Sequence, residues 1–141
     1  MSTLVILRVV LVVVCASHLV LGAIAYVADS GLITSFAAST YGATLTLTPQ
    51  LQHVVRIVGA FMLAIGIMAA FALADPVRNR AIVDGIGILQ VLRVSQRVFF
   101  ATQVQEAFSV PLPRLWAQSA FFLLLGVVLL ALRPRGTRGS A

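Results

Sequence analysis

Three arginines lie inside otherwise apolar sequence, and they are the residues of this chain best placed to do chemistry. Arg56 falls in the run 51–74, and Arg93 and Arg97 stand one helical turn apart in the run 81–102. An arginine within a membrane span costs about 2.5–3.5 kcal/mol on insertion scales, so it is expected to face a protein interior and meet a partner there. At about 100° per residue, Gln90, Arg93 and Arg97 fall within about 60° of one another, with Gln96 at the edge of the same helical face. His53 joins Arg56 at the start of the second apolar run.

Counter-charges are scarce, because the chain has four acids, Asp29, Asp75, Asp84 and Glu106. Asp84 is on the opposite helical face from the arginines, which leaves Asp29 and Glu106 as the nearest acids. Three arginines against two acids leave a surplus positive charge that suits an anionic guest: a lipid phosphate, a carboxylate, or the polar end of a quinone-like molecule. The same arginines also read as snorkelling cations that set helix depth at the outer headgroups. From the residues alone both readings stand. The candidate ligand site is Arg56, Arg93, Arg97, Gln90 and His53.

Other chemistry is thinly supplied. His18 and His53 raise the question of haem ligation, but their positions along the first two apolar runs put them roughly 10 Å or more apart along the membrane normal, which argues against it. The sequence contains no carboxylate cluster, no nucleophile beside a base and no glycine-rich phosphate loop, so neither catalytic nor metal-binding residues are expected. Cys15, the single cysteine, reads as a small packing residue and excludes an intramolecular disulfide. No cofactor is expected beyond a bound lipid or quinone.

The elements that must hold these residues follow from composition. A chain of 141 residues that is 60% hydrophobic and 10% charged cannot bury that apolar surface in one small soluble core. Lipid is therefore the expected solvent, and four helical spans of about 20 residues nearly exhaust the length. The expected fold is all-α, an integral membrane four-helix bundle in one domain. Its spans are at about 4–28, 51–74, 81–102 and 115–132, with an outer loop at 29–50 and a short disordered tail at 133–141. Thr48 and Pro49 supply an N-cap and a first-turn proline, and Asp75 with Pro76 stops the second span. The first run imitates a cleavable signal peptide, yet it is longer than a usual signal core and is expected to remain as a helix.

All ten basic residues are arginine. Arg8, Arg78, Arg80, Arg133, Arg135 and Arg138 fall on one side of the expected bundle and Arg114 alone on the other, so both termini are expected in the cytoplasm of a multi-pass protein of the cell inner membrane. This distribution accounts for the net charge of +6 without nucleic acid as a partner. The long connection alternates apolar and hydroxylic residues from Ala43 to Thr48 like a half-buried strand, with Tyr41 and Gly42 as a hairpin turn. In the second span Ala60 and Ala64, then Gly66, Ala70 and Ala74, with Gly59 one heptad before Gly66, offer small-residue steps for close packing inside the bundle.

The segment from His53 through Arg56, Gly59, Ala60 and Gly66 to Asp75 and Pro76 resembles the second helix of small four-helix membrane families grouped with DoxX-like proteins. Arg56, Gly59, Gly66 and Arg93 or Arg97 are the matching positions, whereas the acid that the pattern carries before the second-helix arginine is replaced by Val54 and Val55. The resemblance implies the fold and, because DoxX itself is associated with a quinone-linked thiosulfate oxidoreductase, a redox membrane component as an alternative function. The leading expectation is a non-enzymatic accessory or structural subunit. Its partners are membrane lipid and other membrane protein subunits, and its lipid or anion site lies in its outer half.

Overall fold

A computed structural model describes residues 3–134. The described residues are helical throughout their regular structure and include no strand. In chain order the helices are α1 (Thr3–Val27), α2 (Ser30–Phe36), a π-helical turn (Ala37–Tyr41), α3 (Pro49–Ala74), α4 (Arg80–Phe99), α5 (Ala101–Phe108) and α6 (Leu112–Leu132). Residues 135–141 of the expected tail, with Arg135 and Arg138, lie outside the described residues. Three helices, α1, α3 and α6, are long and apolar enough to cross a membrane. Helix α4 has 20 residues but carries Arg80, Asp84, Arg93 and Arg97, which keep it out of that class.

The surface of the three apolar helices explains why water is not their solvent. Val9, Val20, Phe61, Phe71, Leu124 and Val127 are all at least half exposed, part of an apolar surface that continues along each helix. A soluble monomer rarely shows contiguous apolar surface of that extent. The protein is therefore read as a membrane protein with transmembrane helices.

Local signals fix the helix ends. The Leu51 amide donates to Thr48 Oγ1 at 3.2 Å, with Pro49 opening α3. At the far end of α3, Asp75 Oδ1 accepts from the amides of Val77 and Arg78 at 3.1 and 3.0 Å, and Asn79 Nδ2 donates to the carbonyl of Phe71 at 2.9 Å. These bonds close the turn into α4 and satisfy part of the orphaned helix terminus.

The connection 29–48 differs from the expected hairpin. Asp29 caps α2 by accepting from the Leu32 amide at 2.8 Å, and helical structure then continues to Tyr41. Gly42 ends it in the left-handed conformation, with φ of +67°. A side chain there would also strike Arg114, since a Cβ would lie 2.8 Å from Nη1. Residues 43–48 run as irregular chain, tied at its start by the Ala43 amide donating to the Ala37 carbonyl at 3.2 Å and the Thr44 amide to the Phe108 carbonyl at 2.8 Å. The alternating pattern does not form a strand because no second strand accompanies it.

Two close helix pairs make the body of the molecule, α1 with α3 and α4 with α6. In the first, a Cβ on Gly59 would lie 2.6 Å from the amide nitrogen of Tyr26, and one on Gly22 would lie 2.8 Å from that of Leu63. In the second, a Cβ on Gly126 would lie 3.1 Å from the Gly87 carbonyl oxygen. Glycine is needed at these crossings because backbones touch, the usual means of association where lipid removes the hydrophobic force. The small-residue stripe of α3 narrows accordingly: Gly59, Gly66, Ala69 and Ala72 are buried, whereas Ala60, Ala64, Ala70 and Ala74 are exposed. Between the pairs, Leu7, Leu11, Val83, Phe122, Leu125 and Leu129 belong to one buried apolar cluster. A second cluster, with Ala37, Ala43, Val110 and Leu115 at its centre and Tyr41, Val104 and Phe108 against it, joins the π-turn, the chain that follows it, α5 and the start of α6 into a cap at one end.

Candidate functional site

Beneath that cap lies a cavity of about 390 Å³. Its polar lining comes from three directions. Helix α4 supplies Arg93, Gln96 and Arg97, α6 supplies Gln118, and the π-turn supplies Tyr41. Apolar side chains of α1, α2, α3 and α5, among them Leu21, Ile33, Met62 and Phe108, form most of the rest, with Ala43, Leu45, Val110 and Leu115 from the cap. Among the described residues no acidic side chain lines the cavity, and neither Arg93 nor Arg97 makes an ion pair.

What holds the two cations in place is aromatic and amide chemistry. Both guanidinium groups lie over the buried ring of Phe122, Arg93 at 4.2 Å and Arg97 at 5.3 Å from its centroid. A cation on an aromatic face gains about 0.5–2 kcal/mol, more where water is excluded, but the contact leaves the positive charge unneutralised. Arg97 Nη1 also donates to Gln118 Oε1 at 3.1 Å, and Gln118 Nε2 donates to the Thr40 carbonyl at 3.2 Å. The cationic wall is thereby tied to the cap. Arg114 adds a second tie, donating from Nη2 to the Ser39 carbonyl at 2.6 Å.

The five residues singled out from sequence separate in space. Arg93 and Arg97 share the cavity. Gln90 is one turn along α4 from Arg93, fully buried where Gly126 crosses, and neither Oε1 nor Nε2 has a hydrogen-bond partner among the described residues. Arg56 and His53 are exposed on α3 and do not line the cavity. Val55, one residue and about 100° from Arg56, takes the cavity-facing position instead. His18 is buried and satisfied locally, its Nδ1 donating to the Val14 carbonyl at 2.9 Å.

Sequence reasoning missed Phe122, Gln118 and the place of Tyr41 at the cavity. One signal for Gln118 was present: with Ser119 it makes a polar step inside the otherwise apolar α6. Phe122 follows Gln118 at i+4, which puts the ring on the same face one turn along. Nothing local marks Tyr41, whose position depends on the π-turn.

The arrangement is suited to recognition. Two guanidiniums present forked donors to a carboxylate, phosphate or sulfonate, while Gln96 and Tyr41 add neutral hydrogen-bonding groups. The apolar remainder accepts a hydrocarbon body. A volume of about 390 Å³ lies toward the small end of ligand pockets, which run from about 300 to 1,000 Å³. No known protein family, curated protein or solved structure matches the chain.

Proposed function

We propose that the protein is a non-enzymatic accessory subunit of a larger membrane assembly, which holds an amphiphilic anion between Arg93 and Arg97. In this reading α1, α3, α4 and α6 all cross the inner membrane as a four-helix bundle, with both termini cytoplasmic and the cap at the outer mouth. The positions of Arg8, Arg78, Arg80 and Arg133 at one end, against Arg114 at the other, support that orientation. The close α4–α6 crossing at Gly87 and Gly126 supports α4 as a fourth span despite its charges. One observation carries the ligand reading: two guanidiniums line an apolar cavity whose described lining contains no acid.

A second reading follows from the neutral groups. Tyr41, Gln96 and Gln118 could hydrogen-bond the carbonyl oxygens of a quinone, and the resemblance of the α3 segment to DoxX-like proteins points the same way, to a component of a quinone-linked oxidoreductase. One preparation separates the two. The protein is extracted from its membrane in mild detergent, and its native mass, co-purifying proteins and bound small molecules are determined beside those of an Arg93→Gln/Arg97→Gln variant. Expected are partner subunits together with an acidic lipid that the variant loses at unchanged melting temperature. A quinone and a redox partner would establish the second reading. Equal lipid in wild type and variant would refute the anion site, and a lone protein would refute the subunit.

A further inference from the structure

Along the side where α3 and α4 face each other lies a second hollow of about 280 Å³, lined only by apolar side chains and one glycine. Helix α3 contributes Ile65 and Met68, and α4 contributes Ile82, Gly85 and Leu89. The two hollows are in register on both helices. On α3, Met62 of the first is three residues from Ile65 of the second, and on α4, Arg93 of the first is four residues from Leu89 of the second. Their nearest lining residues are thus about one helical turn apart along this α3–α4 seam.

We infer that the seam and the cavity form one elongated site for a single hydrocarbon chain ending in an acid. The acid sits at Arg93 and Arg97, and the chain runs past Leu89 to Gly85. This rests on the anion reading given above and adds the shape of the anion. Three observations carry it. From Arg97 to Gly85 is about 18 Å at 1.5 Å per residue, a little over one leaflet of a hydrocarbon layer about 30 Å thick. The hollow runs along about 12 Å of α4 and is lined by apolar side chains and one glycine, which suits hydrocarbon.

The third observation is Gly85 itself. A Cβ there would meet nothing within 4 Å, whereas one on Gly87, two residues on, would lie 2.8 Å from Leu130 Cγ. Gly87 is needed for packing against α6. Gly85 serves no close approach within the molecule, and its missing side chain leaves the hollow open. The site is thus cationic at one end and smooth at the other, complementary to a long-chain carboxylate or to one chain of an anionic lipid.

The test uses full-length protein in nanodiscs of phosphatidylcholine, with palmitate bearing a diazirine near its methyl end and octanoate bearing one near its carboxylate. Cross-links are mapped by mass spectrometry in wild type, Gly85→Phe, Gly85→Leu and Arg93→Gln/Arg97→Gln. Palmitate is expected to label Ile65, Met68 and residues 82–89 in wild type. That labelling should fall at least fivefold in both Gly85 variants while octanoate labelling in the outer cavity stays unchanged. Melting temperatures near wild type check the fold, and the smaller leucine provides the answer if phenylalanine prevents folding. Palmitate labelling outside the seam, or seam labelling indifferent to Gly85, would overturn the inference and leave the anion site intact. Octanoate labelling that persists without the two arginines would instead overturn the anion site. Added phosphatidylglycerol that displaces palmitate identifies a membrane lipid as the source of the chain, and failure to displace it identifies a free acid.

Discussion

Alanine substituted for Gly59 and for Gly85 should change stability in opposite directions, although both glycines sit inside long helices. At Gly59 the new methyl would lie 2.6 Å from the Tyr26 amide nitrogen, 2.9 Å from the Ala25 carbonyl carbon and 3.0 Å from Ala25 Cβ. Two of these are backbone atoms and cannot rotate away, so α1 and α3 must separate by roughly 0.5–1 Å, forfeiting a quarter to a half of the dispersion attraction along the crossing. Overpacking of this kind costs about 1–3 kcal/mol. Against it stands a gain of about 0.5–1 kcal/mol for replacing glycine in a helix. The net for Gly59→Ala is a loss of up to about 2.5 kcal/mol, centred on about 1.2, which for a chain of this size lowers Tm by about 4 °C at the centre of the range. Gly85→Ala meets no atom within 4 Å and keeps the propensity gain, so Tm should rise by about 2–4 °C. Thermal melts of both variants in one mild detergent, followed by circular dichroism, give the comparison. Changes of the same sign in both would refute the assignment of Gly59 to a backbone crossing and of Gly85 to open space.

Two other perturbations follow from the same geometry. Gln90→Leu should raise Tm, because the side chain is fully buried with both polar atoms unpartnered among the described residues, an arrangement that costs about 1–3 kcal/mol; a fall in Tm would mean that something bound in the membrane satisfies the amide. Gln118→Ala removes both the bond from Arg97 and the bond to Thr40, so amides of residues 39–45 should exchange with solvent hydrogen about tenfold faster, equivalent to about 1.4 kcal/mol, while the α1–α3 pair is unchanged. Equal acceleration in both regions would show that Gln118 supports the whole fold and not the cap.

How far the sequence foretold the structure depended on which physical signal each element leaves. The apolar runs of α1, α3 and α6 announce themselves, because a membrane-spanning helix needs unbroken hydrophobicity and little else. Thr48-Pro49 and Asp75-Pro76 mark the ends of α3 for equally local reasons. Helix α2 does not, since its seven residues are mostly small or hydroxylic and are held by the Asp29 cap and by Ile33 and Ala37 packing inward. The break at Phe100 between α4 and α5 carries neither glycine nor proline. It follows from the tertiary packing of Ala101, Val104 and Phe108 on the cap cluster, which no local pattern reports.

For the site, depth was legible and rotation was not. Position along a span puts Arg56, Arg93 and Arg97 at similar heights, but a helix turns about 100° per residue, and the phase of α3 is set by Gly59 and Gly66 meeting α1. That contact turns Val55 toward the cavity and Arg56 outward. The arginines consequently divide between the two roles that their residue type allows. Snorkelling requires a side chain free to extend toward headgroups, which describes the exposed Arg56. Arg93 and Arg97 instead lie over the ring of Phe122, which α6 holds buried, and Arg97 donates inward to Gln118. Setting helix depth would not require that geometry. Moreover, the one acid of α4, Asp84, is engaged at the other end by Arg80 at 3.7 Å and Arg133 at 3.6 Å, too far along the helix to compensate either cavity cation. Helix α4 thus carries paired charge at one end and, among the described residues, unpaired positive charge at the other, where it faces a largely apolar cavity. In the proposed reading, an arginine pair kept in that state through folding is stabilised by an anion that arrives from the membrane with its hydrocarbon attached.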